Sequence, residues 1–210
     1  MSTWKKIDVE NWTRREHFAY YTKILKVQYN MTANIKVEKL LDYCHQNGKK
    51  FYASLIYLVS KTVNSIDNFK MFQDKEGNLC IWDHVVPNYT IFHDDDKTFS
   101  DCWTDYDEDF ETFYQNITSD MEKYKDIKGI KARKDQPENF YCVSAAPWTT
   151  FTSFNSRIVG GGLQFFPVIT MGKYERAGEH VLLPVNHAVC DGYHAGLFFE
   201  TLQQEIDALG

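Results

Sequence analysis

The sequence predicts an α/β fold, a two-layer sandwich in which a mixed β-sheet carries helices packed on one face. Three observations point to it. Segments rich in strand formers alternate with at least four stretches of helical periodicity. No repeat of fixed period and no Pro/Gly/Ser-rich linker divides the 210 residues, a length that one hydrophobic core can organise. The chain also closes on a strand, a tight turn and an amphipathic helix. Residues 1–210 are therefore expected to form one domain.

Residues 26–35 alternate loosely and are rich in strand formers. Residues 37–46 place Val37, Leu40, Leu41 and Cys44 at helical spacing, and Gly48 supplies the stop. A second, well-buried helix spans 51–66 through Leu55, Ile56, Leu58, Val59 and Val63. Glu76-Gly77-Asn78 is a turn signal between the short strands Met71-Phe72 and Leu79-Cys80-Ile81-Trp82, and residues 89–93 read as a further strand. In 107–124, Phe110, Phe113, Ile117, Met121 and Tyr124 fall three and four apart, an amphipathic helix with an acidic outer face. A polar loop, 125–138, follows. Residues 139–146, 168–171 and 180–185 are strand-like, with a turn at Gly160-Gly161-Gly162. In the last helix, 191–209, Ala195, Phe198, Leu202, Ile206 and Leu209 share one stripe, and Asp191 can cap its start.

Composition narrows the function. Lys+Arg number 23 against 29 Asp+Glu, and no basic block offers a footprint for nucleic acid or an anionic membrane. The N-terminus lacks the apolar stretch of a secretory signal and no run is long enough to span a bilayer, so a cytoplasmic location is expected. Cys44, Cys80, Cys102, Cys142 and Cys190 are scattered without CxxC spacing, which indicates reduced thiols rather than a disulfide framework or zinc cluster. An aromatic content of 16% hints at an aromatic-lined pocket or an oligomer.

The chemistry concentrates in Val185-Asn186-His187-Ala188-Val189-Cys190-Asp191-Gly192-Tyr193-His194. A histidine at a strand end, fixed by the following turn, can present one ring nitrogen to a cleft as a general base, with Asp191 as its orienting ion-pair partner. By itself the spacing is equally that of a packed turn histidine and a capping aspartate. A zinc site from His187, Cys190 and His194 lacks a fourth ligand, and Cys190 has no cationic neighbour to activate it as a nucleophile.

Further segments, in order, extend this pattern: Asn11-Trp12-Thr13-Arg14-Arg15-Glu16-His17-Phe18, Lys50-Phe51-Tyr52 with Leu55-Ile56-Tyr57-Leu58, Phe92-His93, Thr98-Phe99-Ser100, Val143-Ser144-Ala145-Ala146-Pro147-Trp148, Thr152-Ser153-Phe154 and Thr170-Met171-Gly172-Lys173-Tyr174. Together they resemble the chloramphenicol acetyltransferase family along nearly the whole chain. The resemblance implies that family's acyltransferase fold and strand order, and an O-acetyltransferase that uses acetyl-CoA, with no metal and no acyl-enzyme. His187 would take the proton of an acceptor hydroxyl. Ser144, by local sequence an ordinary strand serine, would donate to the developing oxyanion, and Thr170 would hold a water beside it. Arg14 would pair with Asp191.

The same resemblance places Lys50 and Lys173 near the adenosine 3′-phosphate of the cofactor, with Tyr52, Trp148 and Tyr174 along the rest of it. Tyr20, Tyr21 and Phe99 would meet the acceptor. It also implies a homotrimer with its sites between subunits. Asn186 stands where the family usually has a second histidine, and Ser156, Arg157 and Gly160 to Gly162 replace more apolar pocket positions. The acceptor is therefore chloramphenicol or another hydroxylated small molecule. A catalytically silent trimeric binding protein ranks last, because His187 and Ser144 are both present.

Overall fold

The computed structural model describes residues 2–154, 164–174 and 179–209. The expected Gly160–Gly162 turn and the Ser156 and Arg157 positions lie outside them. A six-stranded mixed sheet runs in the order β2 (Gln28–Ile35), β9 (Glu179–Asn186), β8 (Val168–Gly172), β7 (Phe140–Ala146), β5 (Val86–His93), β6 (Thr98–Trp103). Strands β5, β7 and β8 are parallel, and the other pairings are antiparallel. A three-stranded sheet, β1 (Trp4–Lys6), β4 (Leu79–Trp82) and β3 (Met71–Gln73), stands beside it.

Helices α2 (Glu38–Asn47), α3 (Phe51–Ser65), α4 (Phe110–Tyr124) and α5 (Gly192–Asp207) bury their apolar stripes in one core with Tyr89, Tyr141, Val143, Ile169, Met171, Leu183 and Val185 of the sheet. Those strand residues alternate along their strands, so they share one face and the four helices cover it. Leu40, Leu55, Ile117, Phe198 and Leu202 are almost wholly enclosed, each side chain stabilising the fold by roughly 2–3 kcal/mol. The predicted layer architecture and mixed sheet are therefore present.

Where element limits move, local chemistry explains the shift. Gly48 sits at φ 62°, the left-handed conformation that ends α2. The helix read from 107 begins at Phe110, because Asp109 stays extended and its carboxylate accepts the Thr112 N–H at 2.8 Å. Strand β5 begins at Val86 rather than residue 89, extended by parallel pairing with β7 from Phe140 onward. Strands β1 and β6 and the short α1 (Arg15–Ala19) were not expected from sequence pattern.

Candidate active site

Strands β2 and β9 pair over eight residues, with Gln28 opposite Asn186, and the ladder continues one step as the His187 N–H donates to Val27 O at 3.0 Å. The chain then turns. Asn186 O accepts from Cys190 N at 2.9 Å, the Asn186 side-chain Oδ1 accepts from Ala188 N at 2.9 Å, and Asn68 Nδ2 reaches across to Val189 O at 2.6 Å. His187 is thus fixed at a strand end. Tyr21 stacks on its imidazole at 4.1 Å and 8° between planes, and Tyr29 meets it edge-on at 5.3 Å. Tyr21 reaches that position from a single π-helical turn, Tyr20–Ile24, continuous with α1; such turns re-aim side chains at functional sites. His187 Nδ1 is buried without a hydrogen-bond partner among the described residues, which leaves Nε2 as the nitrogen open to a substrate.

Asp191 does not pair with the imidazole, contrary to the expectation of a direct ion pair. Its lone pairs are committed elsewhere. Oδ2 receives Arg14 Nη1 at 2.5 Å, while Oδ1 receives Tyr193 N at 3.1 Å and lies 2.8 Å from His194 Nδ1, a capping box on α5. Burial raises its pKa, but the Arg14 hydrogen bond and then His194 outweigh this and hold it at about 2. Arg14 Nη2 lies 3.5 Å from His187 O, so the pair reaches the histidine through its backbone. Cys190 is buried, and burial pushes its thiol far above the ordinary range, which argues against a nucleophilic role.

Ser144 and Thr170 are register partners on β7 and β8. Strand alternation turns them to the face opposite Val143 and Ile169, away from the helices. Asn88 and Cys142 are likewise register partners on that face; Asn88 Oδ1 is buried with no partner among the described residues, and burial lifts the Cys142 thiol to about 11.

Across the carboxyl ends of the parallel strands β5, β7 and β8 opens a cavity of about 630 Å³, the end at which open α/β sheets place ligands. Tyr52, Leu55, Ile91, Met121, Ala145 and Met171 give it apolar walls, and Lys50, Lys125 and Lys173 add ammonium groups. Trp148 and Tyr174 line it from exposed positions, Trp148 packing edge-on against Phe92 at 4.6 Å. All five residues assigned to the cofactor by resemblance, Lys50, Tyr52, Trp148, Lys173 and Tyr174, therefore line one cavity. Phe99, half exposed, stands opposite Phe92 in the β5–β6 ladder, whereas Tyr20 and Tyr21 belong to the His187 end.

The two clusters lie at opposite ends of the sheet. Thr170 pairs with Leu182, and His187 is five residues further along, roughly 16 Å away at the rise of an extended strand. Within one chain, then, His187 and Ser144 do not meet.

Asn68, Tyr29 and Glu122 belong to these sites and were not anticipated. Asn68 acts through a long-range neighbour and leaves no local signal, and the Glu122–Lys125 pair at i,i+3 reads locally as an ordinary solvated helix pair. Tyr29 could have been found only from the register that sets β2 beside β9, where it pairs with Val185. No helix among the described residues is long and apolar enough to cross a membrane, and no three His, Cys, Asp or Glu side chains among them converge as a metal site would require.

The family model described as "Chloramphenicol acetyltransferase" matches residues 2–203. A chloramphenicol acetyltransferase of Clostridium perfringens is 40% identical, covering 94% of this chain and 92% of its own. Chloramphenicol acetyltransferase 3 of Escherichia coli is 39% identical, covering 95% of each. Among solved structures, a chloramphenicol acetyltransferase superposes with a TM-score of 0.81 at 22% identity over 98% of both chains. A probable dihydrolipoamide acetyltransferase from Listeria monocytogenes shares the fold at 0.63 and 13%, covering 98% of this chain and 95% of its own. The chain belongs to the chloramphenicol acetyltransferase family of acyltransferases.

Proposed function

We propose that the protein is a cytoplasmic, acetyl-CoA-dependent chloramphenicol O-acetyltransferase, and so an antibiotic-inactivating enzyme, acting as a homotrimer with its sites between copies. The observation that carries this reading is the His187 end itself: an imidazole locked by a strand-end turn, walled by Tyr21 and Tyr29, with Nδ1 shut away and Nε2 free. A neutral hydroxyl is a weak nucleophile, and a base that titrates near neutral pH removes its proton in step with attack.

Acetyl-CoA supplies the activated acyl carbonyl. The cavity suits it: apolar walls accept a flexible arm, and Lys50, Lys125 and Lys173 offer charge to phosphates. His187 Nε2 takes the hydroxyl proton as the hydroxyl oxygen bonds to the acyl carbon, and returns it to the CoA sulfur as the thioester C–S bond breaks, so that ester and free thiol leave. Ser144 Oγ donates to the carbonyl oxygen as negative charge builds there, a contribution of about 3 kcal/mol for donors of this kind, while its register partner Thr170 orients water beside it. Asp191 and Arg14 hold the turn.

Because His187 and the Ser144 end of the cavity stand at opposite ends of one sheet, a complete site needs the His187 of a second copy. The sheet face opposite the four helices, which carries Ser144, supports contact with another chain.

The test is thiol release from acetyl-CoA with and without chloramphenicol. Chloramphenicol-dependent release that falls at least about hundredfold in His187→Ala is expected. Bound acetyl-CoA with no chloramphenicol-dependent release would refute the acceptor assignment and point to another hydroxyl compound.

A further inference from the structure

Three lysines line the cavity, and they are not equivalent. Lys50 and Lys173 have no carboxylate within ion-pair distance among the described residues, whereas Lys125 is bound to Glu122, its Nζ 2.5 Å from Oε1. Both members of that pair lie on or just past the end of α4, and both face the cavity. The other acid lining it, Asp94, is engaged by Lys97 at 2.5 Å. Glu122 is therefore the carboxylate that sits among the ammonium groups meant for an anion. Its proton affinity is lowered by the Lys125 hydrogen bond and charge and, more weakly, by Lys50, so its field reaches a second lysine of the set.

From this geometry, and resting on the cofactor reading above, we propose that Glu122 is an affinity-limiting residue: it competes with the cofactor's 3′-phosphate for Lys125 and Lys50 and so weakens the binding of acetyl-CoA and of product CoA alike. The reasoning is electrostatic. A phosphate entering this end of the cavity must share the lysines with a fixed negative charge, and a solvated pair of that kind shifts binding by a few fold rather than by orders of magnitude. Such an interaction acts equally before and during acyl transfer, so it belongs to uniform binding and governs how readily the spent cofactor leaves.

The test is calorimetric titration of the full-length protein with CoA and with dephospho-CoA, comparing wild type, Glu122→Gln and Lys125→Ala. Glu122→Gln is isosteric and exposed, so its fold is not at risk. The expected result is a roughly two- to fivefold lower Kd for CoA in Glu122→Gln, a gain that shrinks in high salt, with dephospho-CoA unchanged. Lys125→Ala, which frees Glu122 to repel the ligand, should raise the Kd for CoA. An unchanged or higher Kd for CoA in Glu122→Gln overturns the proposal while leaving the cofactor reading intact. An equal gain for both ligands overturns it too, because the 3′-phosphate that dephospho-CoA lacks would not be what Glu122 opposes. Failure of the wild type to bind CoA overturns the cofactor reading itself.

Discussion

Asp191 carries two tasks on one carboxylate, the cap of α5 and the counter-charge of Arg14, whose side chain is only 12% exposed. Asp191→Ala would leave that guanidinium enclosed without a partner. Loss of one member of such a pair costs about 3 kcal/mol, so the urea midpoint should fall sharply and activity with it, since the His187 turn loses its anchor. The pH dependence has a definite sign. Asp191 titrates at about 2 in the folded chain against an ordinary 3.8. A depressed carboxylate pKa contributes stability that is complete above the ordinary aspartate range and lost as pH falls through about 4 toward 2. With the side chain 31% exposed, that contribution is about 1 to 2 kcal/mol after screening. Urea midpoints measured down this range should decline in the wild type, and Asp191→Asn should lack this part of the decline.

The strand–turn–helix element built by β9 and α5 shows both what sequence pattern reveals and what it hides. Its period change, its terminal histidine and its capping aspartate are local, and local signals are readable. The same holds for the amphipathic α3, α4 and α5, whose stripes face one core. Strand β6 has no such stripe, because Thr98 and Phe99 are exposed and only Ser100 and Cys102 are buried. The five-residue α1 and its π-helical turn are too short to show a period, so the stacking of Tyr21 on His187 could not be read. Asn68 is the plainest case. It lies 121 positions from Val189 in sequence and bonds its carbonyl, a tie that tertiary packing alone creates. Asn68→Ala should cost about 1 kcal/mol in stability, the worth of one hydrogen bond. Because that bond clamps the turn that carries the proposed base, kcat should fall by about tenfold while the KM for acetyl-CoA, whose proposed cavity lies at the other end of the sheet, stays unchanged. Steady-state kinetics separate the two: a rise in KM alone would mean that the turn does not depend on Asn68.

At the scale of the whole molecule, the proposed function makes the six-stranded sheet a spacer, with the proposed base His187 at one end and the proposed cofactor cavity at the carboxyl ends of β5, β7 and β8. Alternation turns Ser144 and Thr170 to the face that no long helix among the described residues covers, and the antiparallel run of β9 carries His187 away from them. In the proposed homotrimer a second copy docked on that face would restore the missing neighbour, and a closed ring of three such contacts would be a heterologous interface in which each copy gives His187 to one site and Ser144 to another. This arrangement makes a quantitative claim. Mixing His187→Ala and Ser144→Ala chains in equal amounts under denaturant and refolding them together gives sites in which the two good residues come from different chains. Random assembly pairs a sound His187 with a sound Ser144 in about a quarter of sites, so activity should recover to about one quarter of wild type, although each parent alone is inactive. Sites built inside single chains would give no recovery at all, since every chain then carries one lesion in its own site. The recovered activity should also follow the mixing ratio as the product of the two chain fractions, greatest at equal amounts, a dependence that trace contamination by wild-type protein could not reproduce.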